Sequence, residues 1–292
     1  MMLGVKVTRK SIMEFVNSLK TYGAQSLKDI VIRRFMTSML KFMYGQGRIP
    51  SWSSQLENLL RRERFVLVVL ASCRYDFFAE LYGRYFKGKL KAVKSPGTFT
   101  VNWWPKILYS PEFTNIRLFH NPVPIFPHNW EFNNVKALNK HIEIVKLDFG
   151  HPLKPRSTRE ILKDVLSYGL SKRNVIYLMS SHFPWRCDLE LSRAILREVA
   201  LYEFTPEEII HKTLKAKGIP RERIIKAYFL NLVETLGAVN WFLKQLSSRY
   251  SFEVVLTSDH GELLGEYHLY LHPHYELPQL YIVPWLEVEE VM

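Results

Sequence analysis

The stretch EVVLTSDHGELLGEYHLYLHPHYELPQLYIVPW, residues 253–285, decides how this chain is read. A strand-like apolar run, Val254 to Leu256, passes straight into Ser258, Asp259, His260, Gly261 and Glu262, and His272 and His274 follow a dozen residues on. Carboxylate and imidazole donors gathered at the end of a buried strand point to a metal ion or an anion, because ligands of open α/β sheets collect at the carboxyl ends of the strands. A second run of the same kind, FVLVVL at 65–70, ends in ASCRYD at 71–76. Both runs end at candidate chemistry, so the two stretches are expected to meet above one sheet edge.

Between and beyond these two runs the pattern alternates. Further strands are expected over Ile116–Phe119, Ile142–Leu147, Val175–Met179, Phe252–Leu256 and Leu280–Val283. Helical spacing of apolar residues marks Arg74–Tyr85, Ser157–Tyr168, Leu189–Tyr202, Thr205–Lys217 and Arg221–Leu246. Thr205-Pro206-Glu207-Glu208 has an N-cap hydroxyl, a first-position proline and an early glutamate, which suits a helix start. Continuous apolar strands alternating with helices imply a mostly parallel sheet covered on both faces. The expected fold is α/β, a three-layer α/β/α sandwich over residues 61–292, preceded by a basic helical extension over residues 1–60.

Composition fits that class. The 292 residues are 47% hydrophobic and 23% charged, enough to bury a full core and far from a disordered chain. The formal charge is +12, and residues 1–64 carry twelve Lys/Arg against four Asp/Glu, so most of the excess sits in the first fifth. Within it Val31, Ile32, Phe35, Met36, Met39, Leu40 and Met43 recur at helical spacing, with Arg33, Arg34 and Lys41 elsewhere on the wheel. Such a basic amphipathic helix, residues 28–43, either packs on the main domain or makes peripheral contact with an anionic membrane surface. No zinc-finger, RNP-like or GxxG signature accompanies the charge, so nothing specific points to nucleic acid. The two cysteines, Cys73 and Cys187, form no metal-binding spacing, the N-terminus lacks a secretion-signal pattern, and no apolar run approaches the roughly 20 residues of a membrane span. A reducing cytoplasm is the expected compartment, with attachment to a membrane surface the alternative.

Six segments in order carry a resemblance: VLVVL-ASCRYDFF, SPGTFTVNWW, YLMSSHFPW, AYFLNLVETLGAV, LTSDHGELLGEY and HPHYELPQLYIVPWL. Together, over roughly residues 60–287, the chain resembles the alkaline-phosphatase-like superfamily in its sulfatase-related branch. The resemblance implies that Asp259 and His260 ligate a catalytic divalent metal and that His272 is a further ligand or an anion contact. It places the nucleophile, a hydroxyl at the head of a helix, on Thr100, with Thr98 as the reserve candidate, and His182 against the transferred group or leaving oxygen. Ser72, Arg74 and Glu262 fall near the site as supporting or anion-binding groups, Arg74 also being suited to a structural ion pair with Asp76 and Glu262 to a turn.

The chemistry explains those residue types. Attack on a phosphate or sulfate ester needs an activated hydroxyl and neutralisation of the transferred anion, and a divalent ion supplies both. Imidazole beside carboxylate favours zinc or manganese, whereas an all-oxygen shell would suit magnesium or calcium. One departure stands out. Where active relatives end the first strand in a metal-binding aspartate, this chain has Ala71, whose methyl cannot coordinate. Two expectations follow: a hydrolase or transferase acting on a small anionic ester, carried on a glycan or lipid if Trp103 and Trp104 line a pocket rather than pack the core, or a relative that has kept the fold, lost catalysis and binds an anionic glycan, lipid or protein partner.

Overall fold

The computed structural model describes residues 49–110, 112–121, 141–151, 153–199, 212–247, 251–273 and 275–292. The basic helix expected over residues 28–43, and the membrane contact it would make, lie outside the described residues, as do His274 and most of the helix expected over Thr205–Lys217. Residues Ile49–Leu264 and Leu269–Met292 form one compact unit.

Its centre is a seven-stranded sheet. The strands are β1 (Phe65–Leu70), β2 (Phe86–Lys94), β3 (Ile116–His120), β4 (Ile142–Lys146), β5 (Arg173–Leu178), β6 (Glu253–Thr257) and β7 (Ile282–Val291). They lie in the order β2-β7-β6-β1-β5-β3-β4. β6, β1, β5, β3 and β4 run parallel, and β7 is antiparallel to both of its neighbours. The helices are α1 (Trp52–Leu60), α2 (Tyr75–Leu81), α3 (Thr100–Leu108), α4 (Thr158–Tyr168), α5 (Leu189–Val199) and α6 (Arg221–Ser247).

All six residues of β1 are buried because both faces of the strand are covered. Phe65, Leu67, Val69 and Ala71 pack in one layer with Trp52 and Leu56 of α1 and with Trp103, Trp104 and Ile107 of α3. Val66, Val68 and Leu70 face the opposite layer, built from Phe78 of α2, Ile161 and Val165 of α4, and Leu232, Leu236 and Val239 of α6. The three-layer α/β/α arrangement expected from the sequence is therefore observed. A smaller core joins Phe183, Trp185, Leu191 and Ile195 to Tyr228, Leu264, Tyr270 and Leu271, and it carries the loops that bear His182 and His272.

Register brings the functional loops to one place. Leu70 at the end of β1 pairs with Leu178 at the end of β5, and Val69 pairs with Thr257 at the end of β6. Three adjacent parallel strands thus finish at one level, and the segments after them, starting at Ala71, Met179 and Ser258, emerge side by side.

The structure differs from the sequence reading at several elements. Leu280–Val283 is not a strand from its first residue: Pro278–Tyr281 form one helical turn and β7 begins at Ile282, running to Val291. Its proline and its acidic tail mask the strand pattern, since Pro284 removes a ladder donor and normally argues against an inner strand. β2, FKGKLKAVK, was not expected, because lysines alternate with small residues and leave little apolar signal. Lys87, Lys89 and Lys91 pair with Glu290, Glu289 and Glu287 at 2.7, 3.3 and 2.7 Å. These lysines line an edge strand, where they discourage pairing with another chain. At Gly88 a Cβ would meet the Glu287 carbonyl oxygen at 2.1 Å, so the close approach of β7 requires glycine there. Trp103 and Trp104, weighed as core packing against pocket lining, are buried in the core, with ring centroids 4.8 Å apart.

The helix α1, inside the residues assigned to the extension, packs into the core of the α/β unit. Trp52 is fully buried, stands edge-on to Trp103 and Trp285 and donates its indole N–H to Thr257 Oγ1 at 2.9 Å. Trp52→Ala should therefore lower stability by about 3–5 kcal/mol, the range for deleting a buried aromatic. Urea unfolding measures it; a loss below about 1 kcal/mol would show that α1 is dispensable to the core.

Candidate metal centre

Asp259 stands at the junction of the three strand ends. Its Oδ1 accepts the backbone N–H of Ser72 at 3.0 Å and that of His260 at 2.8 Å, tying the end of β1 to the turn after β6. Ser72 takes a left-handed conformation, φ 60°, that aims its N–H this way. Ser258 Oγ reinforces the seam: it accepts the Cys73 N–H at 2.9 Å and lies 2.6 Å from the Leu70 carbonyl oxygen. Gly261 allows the turn to pass close to the next segment, because a Cβ there would lie 1.9 Å from the Gln279 carbonyl oxygen.

The other oxygen, Asp259 Oδ2, faces a hydroxyl and an imidazole. Thr100 Oγ1 lies 3.2 Å from it and 3.1 Å from His260 Nε2, and the latter two atoms are 3.2 Å apart. Three donors at such near-equal spacing form one face of a tetrahedron whose edge, for zinc bonds of about 2.0 Å, is about 3.3 Å. His260 Nδ1 is 2.8 Å from the Gly261 carbonyl, which can only accept, so Nδ1 carries a proton. In the neutral ring Nε2 then holds a lone pair directed at a carboxylate oxygen. Two acceptors 3.2 Å apart repel unless a cation or a further proton lies between them. A ligating histidine whose second nitrogen is held by a backbone carbonyl is the usual arrangement at a metal. Without an ion, that further proton sits on His260: burial would raise the Asp259 carboxyl, but the His260 charge and the hydrogen bonds from His260, Tyr177 and the Ser72 N–H hold it down at about 2, and a cation would take the place of that proton. The donor set fits a divalent ion.

Thr100 is the first residue of α3, so the positive end of a nine-residue helix is at the centre. Asn102 shapes that helix start by accepting the N–H groups of Thr98 and Phe99 at 3.1 and 3.2 Å. Thr98 is engaged through this backbone contact, while Thr100 brings its hydroxyl to Asp259 and His260.

A second group adjoins the first. His182, Glu262 and His272 each present one ligating atom, and these atoms lie within 4.8 Å of one another. The His272 ring lies 4.6 Å from that of His260 and 4.9 Å from that of His182. His182 Nδ1 is hydrogen-bonded to the Phe183 carbonyl, so Nε2 holds its lone pair. Glu262 is fully buried, and neither carboxylate oxygen has a hydrogen-bond partner. Burial pushes its carboxyl well above the usual glutamate range; the Arg74 charge opposes the shift and the Asp259 charge adds to it. An orphaned buried carboxyl beside two imidazoles is the chemistry a cation would complete.

The other expected residues have more local roles. Arg74 donates to both oxygens of Asp76, at 3.0 and 2.6 Å, and to the Glu262 carbonyl at 3.3 Å, so it forms the ion pair considered from the sequence. Ser72 faces Asp259 with its N–H, and its buried Oγ has no hydrogen-bond partner. Ala71 is fully buried and brings only its methyl. His272, expected beside Asp259 and His260 as a ligand, groups its ligating atom with His182 and Glu262. Tyr177 was missed: its hydroxyl lies 2.7 Å from Asp259 Oδ2 and 3.3 Å from Thr100 Oγ1. The available signal was a lone phenol in the otherwise apolar end of β5, since a buried tyrosine hydroxyl seeks a partner.

No protein-family model matches the chain, and a search of curated proteins finds no match. Solved structures similar to it include the soluble domain of lipooligosaccharide phosphoethanolamine transferase A from Neisseria meningitidis, with 20% identity, a TM-score of 0.46 and 77% of each chain covered. The lipoteichoic acid synthase LtaP from Listeria monocytogenes shows 12% identity and a TM-score of 0.40, with 77% of this chain and 64% of that one covered. The phosphonate monoester hydrolase of Agrobacterium radiobacter shows 11% identity and a TM-score of 0.43, with 77% and 68% covered. Likeness at this level says nothing of activity. The chain spans less than two thirds of the Listeria protein. No described helix is long and apolar enough to cross a membrane. Cys73 and Cys187 are both free thiols, the first buried and the second exposed.

Glu262 gives a pH test. Its carboxyl is raised above the ordinary value of 4.5, so the metal-free fold holds that proton more tightly than the unfolded chain does, and stability falls as pH climbs from about 4.5 through the raised value. Glu262→Gln mimics the protonated acid. Thermal melts of metal-free protein should coincide at pH 4 and favour the variant at pH 8; equal melting temperatures at both would contradict the burial argument.

Proposed function

We propose that this protein is a metal-dependent hydrolase or transferase acting on a phosphate or sulfate ester, with Thr100 as its nucleophile. The observation that supports this most is the Thr100–Asp259–His260 triangle, in which an imidazole nitrogen and a carboxylate oxygen face one another beside the hydroxyl of the first residue of α3. Asp259 and His260 would hold the ion, Thr100 would bind it through Oγ1, and zinc or manganese suits the mixed oxygen and nitrogen donors. When bound, a divalent ion eases loss of the hydroxyl proton and offsets charge on the transferred group.

The residues then divide the work. Thr100 Oγ attacks phosphorus or sulfur, and the bond from that atom to the ester oxygen breaks. The N-terminus of α3 lends positive potential to the transferred group. His182, with Glu262 and His272 beside it, would serve the leaving oxygen, donating a proton when its ring is protonated or helping to hold a second cation when it is not. Attack by water on the Thr100 ester completes hydrolysis, and attack by an acceptor hydroxyl completes transfer.

A second reading rests on Ala71. A centre short of one charged ligand could hold an anionic group without turning it over. Elemental analysis of the purified chain, followed by assays on aryl phosphates, phosphate diesters and aryl sulfates with zinc, manganese, magnesium and calcium, separates the two readings. Turnover that falls on the order of 10³-fold or more in Thr100→Ala, with melting temperature retained, is the result expected of a nucleophile. Metal retained with no turnover of any ester class supports the binding protein; absence of bound metal under all conditions sinks the first reading.

A further inference from the structure

We infer that the Tyr177 hydroxyl is the fourth donor of the Thr100–Asp259–His260 centre. The inference rests on the metal-dependent reading above and concerns a residue outside the triangle. Three donors leave one corner of a tetrahedral ion to be filled, and the end of β1 offers nothing there, since Ala71 is a methyl. Without an ion, the Tyr177 hydroxyl donates a hydrogen bond to Asp259 Oδ2 at 2.7 Å and lies 3.3 Å from Thr100 Oγ1, so its oxygen stands beside two of the three donors, the second at the tetrahedral edge.

Its position is built in by the sheet. Tyr177 pairs with Val69 in the β1–β5 register, and Val69, Ala71 and Tyr177 share the layer under α3. The ring is packed between strand and helix, 4.9 Å from Trp104 and 6.1 Å from Trp103 between centroids, and the residue is 1% exposed. A side chain clamped by two indoles has little freedom to swing away, so the hydroxyl is held at the centre before any ion arrives. The small Ala71 and the long Tyr177 are complementary: a larger residue at 71 would share the same layer with the phenol. The hydroxyl thus brings the donor from β5 that β1 does not bring.

Zinc affinity, read by competition with a chromophoric chelator, and the visible spectrum of the cobalt(II)-loaded protein both report coordination without any turnover. Both are measured on the full chain carrying His182→Gln and His272→Gln, so that only the first centre binds. Tyr177→Phe should weaken zinc at least 10-fold and change the cobalt band intensities, and adding Ala71→Asp to Tyr177→Phe should restore affinity by supplying an oxygen from the neighbouring strand. Rescue from another strand is not expected of a merely structural tyrosine. Should Tyr177→Phe prove poorly folded by circular dichroism, Tyr177→Glu, which retains an oxygen donor, is read in its place, and near-native affinity is expected. Equal zinc affinity and an unchanged cobalt spectrum in Tyr177→Phe overturn the inference while leaving the metal-dependent reading intact. Failure of the parent chain itself to bind zinc or cobalt overturns both.

Discussion

The two oxygens of Asp259 do different work, and the rest of the centre depends on that division. One is consumed by backbone N–H groups from Ser72 and His260 and so fixes where the carboxylate sits. The other is left facing Thr100, His260 and Tyr177. A carboxylate held by two backbone donors loses its rotational freedom, and a ligand that cannot rotate pays little entropy when an ion is bound. The same contacts keep the group ionised, because each of them favours the charged form over the neutral one. Structure and electrostatics therefore act through one residue.

Around it lie two polar groups of opposite character. The Thr100, Asp259 and His260 set combines an ionised carboxylate, an imidazole and a hydroxyl. The His182, Glu262 and His272 set has a carboxyl that burial drives toward its protonated form. Neighbouring groups whose surroundings push their protonation apart are a recurring arrangement where acid and base roles must coexist. Glu262 is more than the turn residue its place after Gly261 suggested; its orphaned oxygens only make sense beside the two imidazoles.

Much of this was legible in the sequence because it is encoded locally. FVLVVL and EVVLT are continuous apolar runs, and a run buried on both faces has no polar alternation to confuse it, so β1 and β6 were read to within a residue or two. The polar residues after them are bunched at strand ends, which made Asp259 and His260 readable as a pair, whereas Thr100 was placed only by the family resemblance. What escaped notice depends on register. Tyr177 enters the centre only because β5 lies beside β1 with Val69 opposite it, and no local pattern in RNVIYL announces that neighbour. Likewise His272 is grouped by the smaller core around Leu264 and Leu271 rather than by its spacing from Asp259. β2 was missed because its lysines belong to an edge, where the pattern serves to repel rather than to bury.

The seam between β1 and β6 also bears on how the chain acquires its centre. The Ser72–Asp259 hydrogen bond joins residues 187 apart in sequence, and the Tyr177–Asp259 bond joins residues 82 apart. Loop closure of that length costs entropy that only a nearly complete sheet can repay, which places these contacts late in assembly. A chain emerging from the ribosome therefore does not assemble this group of side chains until β6 has slotted in beside β1. On the metal-dependent reading, ion capture would report on finished topology, and a partly folded molecule would be spared a half-formed, metal-loaded centre.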